Sequence, residues 1–100
     1  MAAVRFSRSA KADLLRIGTY TLETWGAVQA GRYLRDLEEC AKMLATHSSL
    51  GRACDWIRPG LRRFEKGRHV VFYRLELHGV LISRILHQSM LAERQFFEEQ

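Results

Sequence analysis

One hundred residues, 47% of them hydrophobic, suffice for one small core and exclude a second domain. The formal charge of +5 excludes an acidic protein, and no apolar run approaches the roughly eighteen residues that a membrane-spanning helix needs. So short a chain buries a smaller share of its surface than a longer one, so its margin of stability is thin and a permanent partner suits it.

The N-terminal MAAVRFSRSAKAD lacks the apolar centre of a signal peptide, which points to a cytoplasmic, soluble protein. Val4 and Phe6 alternate with Arg5 and Ser7, as in a short strand with one buried face. Ser9 is placed to cap a first helix, along which Leu14, Leu15, Ile17, Leu22 and Trp25 recur mostly at helical spacing. Gly26 supplies the residue tolerant of positive φ that a helix end favours. The second helix is the clearest pattern: Ala30, Tyr33, Leu34, Leu37, Cys40, Ala41 and Leu44 form one face, with the charges of Arg32, Arg35, Asp36, Glu38, Glu39 and Lys42 opposite. It runs to about His47. Few residues separate the helices, so they fold back as an antiparallel hairpin with a shared apolar seam.

A loop of about ten residues follows Gly51 and ends in the turn Pro59-Gly60. Leu61 to Lys66, His69 to Leu77 and Val80 to Leu86 read as three strands, turning at Gly67 and at His78-Gly79. A polar tail follows, with a short helix expected in it, and the two phenylalanines of its closing FFEEQ point to docking. The order β-α-α-β-β-β defines an α+β fold, a helical hairpin packed on one face of a small, mostly antiparallel sheet. Arg and His among the apolar strand residues leave the other face available as a binding surface.

Charge and chemistry are unevenly distributed. Seven of the sixteen Lys and Arg residues lie between Arg52 and Arg74, with only Asp55 and Glu65 of the eleven acids, so the whole excess sits in that segment. Such a patch concentrates anionic partners, whether phosphate or acidic protein. Cys40 and Cys54 lack the paired spacing of a zinc site and read as structural. His69, His78 and His87 are spaced by nine, but the hairpin sends His78 to the far end, so no metal site is expected. No glycine-rich phosphate loop and no nucleophile motif is present, and no cofactor is implied.

Metal-free RNA cleavage is the one chemistry with candidate parts: a base, an acid and a cation drawn from His87, His69 and Arg62, Arg63 or Arg84. With a turn at His78-Gly79, however, Val70 faces His87, Tyr73 faces Arg84, and the two histidines point to opposite faces.

RFSRSAKADLLRI, TWG at the end of the first helix, the HSSLG exit of the second, PGLRRFEKGRHVVFYR and ILHQSM together resemble the ParE toxins of bacterial type II toxin–antitoxin systems, within the ParE/RelE superfamily. The resemblance covers nearly the whole chain. It implies a toxin that poisons DNA gyrase by binding, with no catalytic residue and no sequence-specific nucleic-acid contact, and a ParD-type antitoxin partner in a hetero-oligomer. The resemblance also implies an antitoxin tail that is disordered alone and folds over the toxin. RelE relatives instead cleave mRNA on the ribosome, using basic residues and a late tyrosine or histidine; here no tyrosine follows Tyr73, and only His87 and the arginines correspond. An inert relative kept for antitoxin binding is the third alternative. On this reading the target surface comprises Arg62, Arg63, Arg68, Arg74, His87, Met90 and Arg94, and the antitoxin surface Leu15, Tyr20, Leu22 and Trp25, with core burial the competing role for Leu15 and Trp25.

Overall fold

The computed structural model describes residues 2–97. Strand β1 (Ala3–Phe6) leads into α1 (Arg8–Trp25) and α2 (Ala27–Thr46), followed by β2 (Arg52–Ala53), β3 (Arg62–Lys66), β4 (His69–Glu76) and β5 (Gly79–His87). The five strands are ordered β1-β5-β4-β3-β2; β1 runs parallel to β5 and every other pair is antiparallel. The predicted helical hairpin on a mostly antiparallel sheet is therefore present, with one addition. The two-residue β2 lies inside the segment expected to be loop, too short to show periodicity.

The cap of helix α1 lies two residues before the expected one. Ser7, not Ser9, accepts the Ala10 N–H at 2.9 Å, and its hydroxyl donates to Ser83 O at 2.7 Å, so one side chain caps the helix and fixes it to the sheet. Gly26, at φ +92°, joins the helices with no intervening loop. The seam under α2 is as expected: Leu37, Cys40, Ala41 and Leu44 are buried with Ile17, Val71, Tyr73, Val80, Ile82 and Ile85.

The face of α1 differs from the expectation. Its buried stripe is Ala10, Asp13, Ile17 and Thr21, whereas Leu15 is 73% exposed and Trp25 65%. Leu22 and Tyr20 are exposed as well. The apolar spacing was real, but the larger side chains belong to the outer faces of the helix.

The second face of the sheet is covered too, which corrects its reading as an open binding surface. Cys54, Ile57 and Leu61 from the segment after β2, and Ala92 and Phe97 from the tail, pack on Val70, Phe72 and Leu86. Phe97 meets Phe72 edge-on at 5.4 Å, so part of FFEEQ docks on its own sheet; residues 98–100 lie outside the described residues. Ala92–Arg94 forms the short helix expected in the tail, as a single 3-10 turn.

The β4–β5 hairpin turns at Leu77-His78, one residue earlier than expected, with Glu76 opposite Gly79. Gly79 has a different purpose: a Cβ there would strike the backbone of Ala3, so the glycine lets β1 approach β5. A bulge then leaves Ser83 without a partner, since Tyr73 faces Ile82 and Phe72 faces Arg84. Moving the turn shifts the pairing by two positions and the bulge returns one. His69 consequently stands directly opposite His87, on the same face, contrary to the expectation of opposite faces.

Candidate functional site

The bulge sets the site. Beyond it the alternation of β5 reverses, so Ile85 joins the core under the helices and His87 follows on that side. Past Phe6, strand β1 no longer covers the outer edge of β5, and α1 takes its place: Asp13 accepts the Ile85 N–H at 2.9 Å. Asp13 also accepts from Arg84 Nε at 2.8 Å and Nη2 at 2.9 Å, and from Arg16. Arg84 reaches the tail as well, donating through Nη1 to Phe96 O at 2.7 Å. One buried carboxylate thus binds α1, β5 and, through Arg84, the C-terminal tail.

Above Asp13 a cavity of about 510 Å³ opens between the two helices and the end of the β4–β5 hairpin. Ile17, Thr21, Tyr20 and Trp25 of α1 form one wall, Gln29 and Tyr33 of α2 another, and Arg68, His69, Ile85, His87 and Met90 the third. Gly67 turns the chain at φ +60° beside Tyr33, where a Cβ would lie 2.9 Å from the phenol ring, so the turn and the helix are matched in shape. The Tyr33 hydroxyl accepts the Arg68 N–H at 3.2 Å and shares a 2.6 Å hydrogen bond with His69 Nδ1. The His69 and His87 rings meet edge to face at 5.4 Å. Ser89 holds His87 from the other side, its N–H donating to Nδ1 at 3.1 Å. A backbone N–H can only donate, so the neutral His87 ring carries its proton on Nε2.

Burial, and secondarily the neighbouring His87, lower the His69 pKa from its ordinary 6.5, with Asp13 opposing them. Folded His69 then binds fewer protons than unfolded His69. Its contribution to stability is intact above about pH 6.5 and is lost as the pH falls through that value toward the folded pKa. The melting temperature is expected to drop between about pH 7.5 and about pH 5.5, and the slope to flatten in His69→Gln. An unchanged slope in that variant places the acid sensitivity elsewhere.

The structure divides the predicted target residues. Arg68, His87 and Met90 meet at the cavity. Arg62 donates to Gly51 O, Arg74 to Pro59 O at 2.6 Å, and Arg63 lies over the Phe72 ring at 5.6 Å, so these three serve the fold with their charged ends. Arg94 is exposed on the 3-10 turn and does not line the cavity. The predicted antitoxin residues divide as well: Tyr20 and Trp25 line the same cavity, while Leu15 and Leu22 line a groove of about 610 Å³ on the outside of the helical hairpin, with Leu14, Gly18, Ala27 and Leu34. Both cysteines are buried, and burial pushes their thiols up, which suits their structural reading.

Asp13, Arg16 and Tyr33 were missed as site residues. In the sequence Tyr33 belongs to the apolar stripe of the second helix. Asp13 had a signal in hindsight: it lies between Ala10 and Ile17 at spacings of three and four, a carboxylate on a buried stripe. Nothing in the apolar run of β5 betrayed the bulge that pairs the histidines.

A helical hairpin over a sheet of this order, with a cationic cavity at the open end of its seam, defines a small α+β protein of the RelE/ParE type. Residues 4–92 match the family model described as ParE toxin of type II toxin-antitoxin system, parDE. The chain is 47% identical over 92 residues to Toxin ParE1 of Caulobacter vibrioides, covering 92% of this chain and 95% of that one. It is 42% identical over 89 residues to Toxin ParE1 of Mycobacterium tuberculosis, covering 88% and 91%, and 35% identical over 92 residues to Toxin ParE of Escherichia coli, covering 90% and 88%. A solved structure titled "Chromosomal ParDE TA system from P. aeruginosa" superposes with a TM-score of 0.73 at 25% identity, over 87% of this chain and 96% of that one. The chain belongs to the ParE toxin family of type II toxin–antitoxin systems. Among the described residues no helix is long and apolar enough to cross a membrane.

Proposed function

We propose that this toxin acts by binding DNA gyrase, carries out no bond chemistry itself, and is neutralised in the cytoplasm by a ParD-type antitoxin in a hetero-oligomer. The observation that carries the reading is the set of large apolar side chains left in solvent by helix α1. Leu15, Tyr20, Leu22 and Trp25 are all more than half exposed on a fold whose core is complete without them. Large apolar side chains exposed in this number on one helix mark a protein interface. Leu15 and Leu22 in the hairpin groove, with Tyr20 and Trp25 beside the cavity, form the antitoxin surface. Arg68, His87, Met90 and Arg94 form the target surface, while Arg62, Arg63 and Arg74 add positive field rather than contact, because their side chains are engaged within the fold.

One observation favours the ribonuclease reading: His69 and His87 stand together with Arg68 on one cavity wall, which brings a general acid, a general base and a cation within one site. Supercoiling by gyrase and mRNA integrity in a translating extract, followed with the same purified protein, separate the two. Loss of supercoiling with intact mRNA supports the gyrase reading, and mRNA cleavage with active gyrase overturns it. His87→Ala is expected to leave gyrase inhibition within about a few fold, since general acid–base catalysis contributes about 10²–10⁴-fold where it operates. An mRNA-cleaving activity that falls about a hundredfold in folded His87→Ala restores the catalytic role.

A further inference from the structure

We infer that the cavity between the helices and the histidine end of the hairpin is a carboxylate pocket, in which an Asp or Glu of the antitoxin, next to a large apolar side chain, is anchored. This rests on the antitoxin reading above and specifies its chemistry. The volume of about 510 Å³ accommodates an aromatic or large aliphatic side chain, and Ile17, Trp25, Ile85 and Met90 supply apolar walls.

Charge selects what accompanies that side chain. Asp13 is the acid of the cavity, and it is already committed to Arg84, Arg16 and the Ile85 N–H. The guanidinium of Arg68 is exposed and makes no hydrogen bond or ion pair among the described residues. His87 carries a donor on Nε2, because Ser89 occupies Nδ1. An incoming carboxylate thus meets a cation and an imidazole donor, the arrangement in which charge-assisted hydrogen bonds are strongest.

Two consequences follow. Arg68, His87 and Met90 also belong to the proposed target surface, so the anchored antitoxin excludes the target by direct competition. Binding is also proton-linked: a carboxylate in the cavity favours the charged form of His69, which Tyr33 of α2, His87 of β5, Arg68 of the turn, and Asp13 and Arg16 of α1 surround. Affinity therefore rises as the pH falls from about 8 to about 6.

The test uses the full chain, a blocked Phe-Glu dipeptide with its Phe-Gln counterpart, and the antitoxin. In NMR titrations the Phe-Glu peptide is expected to shift the side-chain signals of Trp25, His87 and Met90 and to bind about tenfold or more tightly than Phe-Gln. Arg68→Glu, which keeps the backbone N–H that Tyr33 accepts, abolishes that preference and lowers antitoxin affinity about a hundredfold, more so with His87→Gln. Equal binding of the two peptides overturns the carboxylate pocket. An antitoxin that binds wild type and Arg68→Glu alike overturns the anchor and leaves the antitoxin reading standing. A wild-type chain that selects the Phe-Glu peptide yet ignores the antitoxin overturns the antitoxin reading and, with it, the occupant named here.

Discussion

Asp13→Ala is expected to cost the fold about 3–5 kcal/mol, the range for removing one partner of a buried ion pair. Its side chain is 1% exposed and that of Arg84 only 9%, so the remaining guanidinium loses its carboxylate where water cannot fully replace it. The Ile85 N–H loses its acceptor in the same step. Against a total stability of about 5–15 kcal/mol for a small domain, the variant stands near the edge of folding at room temperature. Urea denaturation measures the loss. The double variant Asp13→Ala, Arg84→Met is expected to recover much of it, because an apolar pair carries no desolvated charge. A single-variant loss below about 1 kcal/mol contradicts the assignment of Asp13 as the junction of α1, β5 and tail.

Leu15→Asp combined with Leu22→Asp has its large effect elsewhere. Both side chains point to solvent, so the fold is expected to change by no more than about 0.5 kcal/mol for each substitution. Antitoxin affinity is expected to fall about a hundredfold or more, because a helix docked in the hairpin groove would bury two unpaired carboxylates. Calorimetric titration of the antitoxin, with a thermal melt as control for folding, reads both quantities. Unchanged affinity removes the groove from the antitoxin surface, and a collapsed melting temperature returns Leu15 and Leu22 to the core.

Most of the architecture was legible because it rests on local rules. Helix α2 has a continuous apolar stripe, Gly26 ends α1, and the antiparallel strands are separated by short turns. The errors arose where a residue serves a neighbour distant in sequence. Gly79 has the sequence signature of a turn glycine, yet its lack of a side chain accommodates Ala3 of β1. In β5 every residue from Val80 to Leu86 is buried, so no alternation was left to disclose the bulge at Ser83. The register of the two histidines depended on both.

The candidate site was legible by residue type more than by geometry. Arg68, His87, Met90, Tyr20 and Trp25 were all chosen from the sequence, but for two separate surfaces, and the structure brings them to one cavity. In the sequence the arginine-rich segment shows only as clustered charge. Arg62, Arg63 and Arg74 instead hold Gly51, the Phe72 ring and Pro59, partners that only the folded sheet supplies.

The dose dependence of gyrase inhibition tests the central claim most directly. If the toxin acts by binding, loss of supercoiling is expected to scale with the ratio of toxin to gyrase, to stop deepening once binding equilibrium is reached, and to persist in His87→Ala. Inhibition that deepens with time at a small fraction of the gyrase concentration, or mRNA cleavage while supercoiling continues, contradicts it.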